Sequence, residues 1–184
     1  MENLKQDIKK ILFSHEEIVR ATKRIAKEIE EDYKNKNAEP VLLCTLKGAL
    51  PFMAELIKHI DIHIVTDFID VSSYHGGTSS TGEIKINKDI SMDIENRDVI
   101  IVEDIIDTGR TLKCLIEYLE SREVASVACA SLVDKPETRV VDVQAEYIGI
   151  ESPNEFLVGF GLDYDEKYRN LPYIGVLKEE IYTK

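Results

Sequence analysis

Residues 98–121 read DVIIVEDIIDTGRTLKCLIEYLES. Val99, Ile100, Ile101 and Val102 form an unbroken apolar run. A strand that is apolar on both faces must be covered on both, which places it inside a sheet with helices above and below. Glu103, Asp104 and Asp107 follow, and Thr108-Gly109-Arg110-Thr111 then turns into a helical segment, 110–121. Strand, turn and helix in direct succession are the unit of a parallel α/β sheet.

The same alternation runs through the centre of the chain. VLLCTL (41–46) reads as a buried strand, and KGALPFMAELIKHI turns through Gly48 into a helix with Pro51 in its first turn, where a missing N–H is tolerated. IHIVTDFIDVSSY (62–74) is a long strand-like run. HGGTSSTGE (75–83) reads as a mobile loop, because Gly, Ser and Thr dominate it and it has no apolar anchor. IKINKDI then closes a hairpin-like excursion, VASVACASLVD (124–134) is a further apolar strand, and AEYIGI (145–150), FLVGFG (156–161) and YIGVL (173–177) are short extended pieces. At the start, Leu4, Ile8, Ile11 and Leu12 share one helical face. Ser14 and Glu17 have the spacing of a capping box, with Phe13 and Ile18 as its staple. Ile18, Thr22, Ile25, Ala26, Ile29 and Tyr33 continue that helix, and KNKNAEP closes it as a polar linker. The predicted fold class is α/β, a mainly parallel sheet flanked by helices.

Bulk properties narrow the function classes. A chain of 184 residues, 43% hydrophobic, supports one domain with a real core. Its net charge of −12 argues against a basic face for nucleic acid, so a polyanionic ligand must be met by a few placed cations or by a metal ion. Cys44, Cys114 and Cys129 are widely spaced, without CxxC or a Cys/His cluster, which speaks against zinc and disulfides and fits a reducing cytoplasm. MENLKQDIKKILF lacks the apolar core of a signal peptide, and no apolar run reaches membrane-spanning length.

In parallel α/β sheets, ligands bind beyond the carboxyl ends of the strands. Glu103 and Asp104 lie at such an end. The turn that follows offers backbone N–H groups and the Thr108 and Thr111 hydroxyls to a phosphate at a helix N-terminus. Carboxylates accept from a diol. A sugar phosphate carries both groups. Taken singly, each residue is better read as a solvated strand end, or for Asp107 as a helix cap; the ordered set points to a ligand. GxxxxGK[ST] and GxGxxG are both absent.

Glu-Asp-x-x-Asp-Thr-Gly-Arg-Thr after a buried strand resembles the phosphoribosyl pyrophosphate signature of the phosphoribosyltransferase family. LKG (46–48), SYHGGTSSTG (73–82), SLVDKPETR (131–139) and FLVGFGLDYDEKYRNLPYIGVL (156–177) extend the likeness to its hypoxanthine-guanine branch, in order and at similar spacing, from about residue 40 onward. The resemblance implies the type I fold of that family, with a core at about 38–150 and a small hood from about 1–37 and 151–184. It implies transfer of phosphoribosyl to N9 of hypoxanthine or guanine, a requirement for magnesium, and self-association as a dimer or tetramer, with no nucleic-acid or membrane partner.

It also implies roles. Asp107 is the general acid/base near purine N7. Glu103, Asp104, Asp107, Thr108, Gly109, Arg110 and Thr111 hold the ribose and its 5′-phosphate. Lys47, Gly48 and Arg169 take pyrophosphate. Lys135 donates to the purine 6-oxygen, Phe156 stacks on the base, and Leu157 and Asp163 lie beside it. Glu103, Asp104 and Asp163 are the magnesium ligands. Ser73 and Tyr74 root a loop that closes over the reacting centre, where His75 reads as solvated. On the residues alone, Lys47-Gly48 is equally a plain turn, Arg169 a surface arginine and Phe156 a core residue. Three rivals stand beside this reading: a xanthine or adenine transferase, a regulator that binds the sugar pyrophosphate without turnover, and a receiver domain, which would carry its acid pair nearer the N-terminus.

Overall fold

The structure, a computed structural model, describes residues 4–36, 38–73 and 84–183. Tyr74, His75 and the rest of the 75–83 loop lie outside the described residues. In chain order the elements are β1 (Ile8–Phe13), α1 (His15–Tyr33), β2 (Val41–Leu46), α2 (Leu50–Leu56), β3 (Val65–Ser73), β4 (Ile84–Lys88), β5 (Asp98–Ile106), α3 (Arg110–Glu120), β6 (Ser126–Asp134), β7 (Tyr147–Glu151), β8 (Leu157–Val158), β9 (Ile174–Leu177) and α4 (Glu179–Tyr182).

The large sheet has the order β4-β3-β2-β5-β6-β7. β3, β2, β5, β6 and β7 run parallel; β4 is antiparallel to β3 and closes the expected hairpin. Alternation along the central strands explains their apolar runs. Leu42, Cys44, Ile100 and Val102 pack with Ile18, Ile25 and Ile29 of α1 and Phe52 and Leu56 of α2. Val41, Leu43, Val99 and Ile101 pack with Leu112, Leu115 and Leu119 of α3. Both faces are covered, as a parallel sheet requires. Among the described residues no helix is long and apolar enough to cross a membrane.

Two expectations need correction. Residues 8–13 form a strand where helical spacing had been read: β1 pairs antiparallel with β9, Ile11 against Gly175 and Phe13 against Ile174. A short apolar set fits either period, and the free edge of β9 decides the matter by supplying hydrogen bonds. α1 packs on the large sheet at β6 and β7, and among the described residues β1 joins β8 and β9 in the second, three-stranded sheet. FLVGFG is extended only at Leu157–Val158, because Gly159, Phe160 and Gly161 all take positive φ (100°, 48° and 102°).

The α1 start matches its sequence signature. Ser14 Oγ accepts from Glu17 N–H at 3.3 Å, and Glu17 Oε2 accepts from Ser14 N–H at 2.8 Å. Ser14→Ala should cost about 1 kcal/mol of stability. The check is a lower urea midpoint at an unchanged denaturant slope.

Candidate active site

β5 runs on to Ile106, so Glu103 and Asp104 lie within the strand. Glu103 is only 6% exposed, and its Oε1 has no hydrogen-bond partner among the described residues. Burial, followed by the charge of Asp104, pushes its carboxyl up to about 8. Burial likewise raises Asp104 to about 6, against the pull of the Ile105 N–H, which donates to it at 2.9 Å, and of Arg169. Gly48 explains how this acid fits under the loop after β2. A β-carbon on Gly48 would stand 1.7 Å from Asp104 Oδ2, so no other residue leaves the carboxylate its place. The Leu46–Lys47 peptide bond just before it is cis.

The turn after β5 leads into α3 with Gly109, at φ 82°, as the N-cap and with no side-chain cap bond. Asp107 is therefore not the helix cap. Gly109 offers α3 no capping side chain, Thr108 Oγ1 accepts from the Arg110 N–H only at 3.5 Å, and no acid stands in the first turn, which suits an incoming anion. Arg139 props the turn from behind. It donates from Nη1 to the Asp107 carbonyl at 2.7 Å and from Nη2 to the Asp134 carboxylate. Its Cδ and Val143 Cγ1 would each lie 2.7 Å from a β-carbon on Gly109.

Two clefts adjoin across the end of β5. One, of about 270 Å³, is lined by Glu103, Thr108, Gly109 and Thr111. The other, of about 480 Å³, is lined by Lys135, Phe156, Leu157, Asp163 and Tyr182. Asp104, Ile105 and Asp107 line both. Lys135 is buried just past β6, where its Nζ donates to the Glu155 carbonyl at 2.6 Å. Burial lowers its ammonium below the ordinary lysine range, while Asp107 and Glu155 oppose that shift. Phe156 is 37% exposed, so it is not a core residue, and Tyr182 of α4 stacks on it at 4.5 Å between centroids. A larger cavity of about 700 Å³, lined by Tyr33, Arg97 and Asp98, lies at the opposite, amino ends of the strands, away from these groups.

Lys47, Gly48 and Arg169 meet beside the acids. A β-carbon on Gly161 would stand 1.9 Å from the Gly48 carbonyl, so the two loops are in direct contact. Arg169 Nη1 donates to the Gly161 carbonyl at 2.8 Å and pairs with Asp163 Oδ1 at 3.0 Å. Arg110 starts α3 on its exposed side. Ser73 ends β3, and its partner Tyr74 is outside the described residues.

Glu103, Asp104 and Asp163 do not form one cage: the described residues contain no group of three acidic, His or Cys side chains able to hold a metal ion together. Strand alternation separates them, with Glu103 lining the smaller cleft, Asp163 the larger, and Asp104 both. The donor set still suits magnesium, which takes one or two carboxylates and fills its shell with water and phosphate oxygens. The unpartnered Glu103 Oε1 and the crowded, desolvated acid pair are the features that a nearby cation would relieve.

Sequence reasoning assigned no role to Arg139, Ile105, Glu166 or Tyr182. Arg139 ended the noted DKPETR segment and Glu166 lay inside DYDEKYRN, but neither spacing reveals its partners. Nothing in the sequence ties Tyr182 to Phe156.

A family model described as phosphoribosyl transferase domain matches residues 9–165. The chain belongs to the phosphoribosyltransferase family. Its similarity extends to the hypoxanthine-guanine branch. The hypoxanthine-guanine phosphoribosyltransferase of Streptococcus thermophilus is 64% identical over 181 residues, which is 98% of this chain and 99% of the relative. That of Streptococcus mutans is 60% identical with the same coverage. The crystal structure of a Staphylococcus aureus hypoxanthine phosphoribosyltransferase superposes with a TM-score of 0.93 at 49% identity, over 98% of this chain and 97% of that one. The Trypanosoma cruzi hypoxanthine phosphoribosyltransferase gives 0.92 at 40% identity, over 100% and 97%. The fold is thus that of the family, a mostly parallel sheet with flanking helices and a smaller second sheet.

The acid pair has a consequence for stability. In the folded chain Glu103 keeps its proton up to about 8, whereas an unfolded glutamate loses it near 4.5. The folded state binds more protons across that window, so stability is greatest below it and falls as pH rises through it. Glu103→Gln removes this titration. Urea midpoints measured in EDTA should decline from about pH 5 to pH 8 in the parent and decline less in Glu103→Gln; equal slopes would refute the assignment.

Proposed function

We propose that the protein transfers the 5-phosphoribosyl group from phosphoribosyl pyrophosphate to N9 of hypoxanthine or guanine, yielding IMP or GMP and pyrophosphate. The observation that carries this is the meeting of the two clefts at Asp104, Ile105 and Asp107. One cleft offers a phosphate turn, the other a buried ammonium and an exposed aromatic face, and the shared wall is where a sugar carbon would join a base.

The residues divide the work. Backbone N–H groups and hydroxyls of Thr108–Thr111 hold the 5′-phosphate. Glu103 and Asp104 accept from the ribose hydroxyls. Lys47 and Arg169 hold the pyrophosphate. Phe156 stacks on the base, and Lys135 donates to its 6-oxygen. N9 attacks C1′ as the bond to pyrophosphate breaks, and pyrophosphate leaves with the electron pair. Asp107 takes the purine proton. Magnesium, held by Asp104 and Asp163 with water, would neutralise the leaving group. This reading places the protein in the cytoplasm, where its three cysteines stay thiols, and includes self-association as a dimer or tetramer.

The test is nucleotide formation from phosphoribosyl pyrophosphate and magnesium with each purine. Hypoxanthine and guanine should react. Adenine should be disfavoured by up to ~10⁴-fold, because its 6-amino group cannot accept from Lys135. Adenine used as readily as hypoxanthine would overturn the base assignment.

Asp107→Asn keeps shape but cannot take a proton. Turnover should drop roughly 10²–10⁴-fold, with little change in affinity for the sugar pyrophosphate. Thr111→Val should do the reverse and raise the Michaelis constant more than it lowers turnover. Since Gly109 and not Asp107 caps α3, the Asp107→Asn protein should melt close to the parent. Near-normal turnover in that variant would remove Asp107 from the chemistry.

A further inference from the structure

Lys47 and Arg169 already share an anion. Glu166 Oε2 accepts from Lys47 Nζ at 2.8 Å, and its Oε1 accepts from Arg169 Nη2 at 3.1 Å. One carboxylate therefore bridges both cations, one oxygen to each. The remaining Arg169 donors face elsewhere: Nη1 serves Gly161 and Asp163, and Nε is buried without a partner among the described residues. Nη2 is the fork end that an incoming phosphate would compete for.

The backbone holds Glu166 there against local preference. Tyr164 and Lys167 exchange N–H to carbonyl bonds at 3.2 and 3.0 Å, closing a two-residue turn. Its central residues, Asp165 and Glu166, both take positive φ, 51° and 61°. A turn of that pattern favours Asn-Gly, and a glutamate in the glycine position is disfavoured by its β-carbon. The Glu166 N–H is further fixed on Asp163 Oδ2 at 2.9 Å. Asp163 thus holds both the turn and the arginine. The pairs themselves add little to the fold, since the Glu166 and Lys47 side chains are 63% and 64% exposed.

We propose that Glu166 is an internal stand-in for pyrophosphate. It occupies Lys47 and Arg169 in the ligand-free chain, swings into water when the substrate's pyrophosphate arrives, and retakes the cations as the product leaves. The inference rests on the reading of Lys47 and Arg169 as the pyrophosphate cations. Two like charges are kept in place by an anion that is tethered and easily displaced. The substrate meets preset donors, and the product meets a competitor at no distance.

The experiment is calorimetric binding of pyrophosphate with magnesium to the full chain and to three variants. Glu166→Gln should bind roughly three- to tenfold tighter, since each exposed pair that must be broken has only a modest strength. Dissociation should slow in step. Asp165→Asn removes an equal charge one residue away, from a side chain paired with Lys167 at 3.5 Å, and should change affinity by less than about twofold. Lys47→Ala should bind more weakly. If Lys47→Ala weakens binding and Glu166→Gln does not tighten it, the stand-in role is wrong. Equal tightening in Asp165→Asn reduces the effect to overall charge and also overturns it. Unchanged binding in Lys47→Ala refutes the pyrophosphate reading beneath it.

Discussion

Two successive carboxyls in poorly solvated places near the end of β5, Glu103 and Asp104, set the terms for what surrounds them. Like charges at short range in a poorly solvated place are costly, and either a proton or a cation must relieve them. The raised Glu103 and Asp104 are the protonic form of that relief. The loops above are shaped by the same pair. Gly48 must lack a side chain because Asp104 fills the space, and Gly161 must lack one because the Gly48 carbonyl fills the next. Arg169 then reaches Asp163 and the Gly161 carbonyl in one span. The place of Asp104 thus propagates, contact by contact, through Gly48 and Gly161 into the position of Arg169.

A chain with net charge −12 that handles phosphates must separate its charges finely. It does so partly without cations. The helix start after Gly109 offers N–H groups with no acid in the first turn. Arg139 lies behind that turn and supports its backbone through the Asp107 carbonyl, so this positive charge acts as a strut. Because Arg139 also grips Asp134, next to Lys135, the turn after β5 and the residue before Lys135 are fastened to one side chain.

The large sheet was legible because its strands carry their own signal. VIIV and VLLC are apolar on both faces, and that requires helices on both. The acids and the DTGRT turn were legible as an ordered set on one short segment. What escaped depends on partners far away in the chain. The period of Ile8 to Phe13 could not choose between helix and strand without β9, 161 residues or more further along in the register pair Phe13 and Ile174. Arg139, Glu166 and Tyr182 have roles only through neighbours that folding brings to them. The placing of the acids was hidden for the same reason: Asp104 lines both clefts, while Glu103 lines the smaller one and Asp163 the larger.

The small sheet joins β1, near one end of the described chain, to β8 and β9 near the other. β8 directly follows Phe156, and α4 with Tyr182 follows β9. The wall of the larger cleft therefore cannot assemble on a ribosome until Tyr182 has emerged, although the residues that line the smaller cleft, Thr45 to Leu112, are made earlier. Synthesis itself thus imposes an order on the two clefts, and the residues of the smaller one are all made before the wall of the larger one is complete.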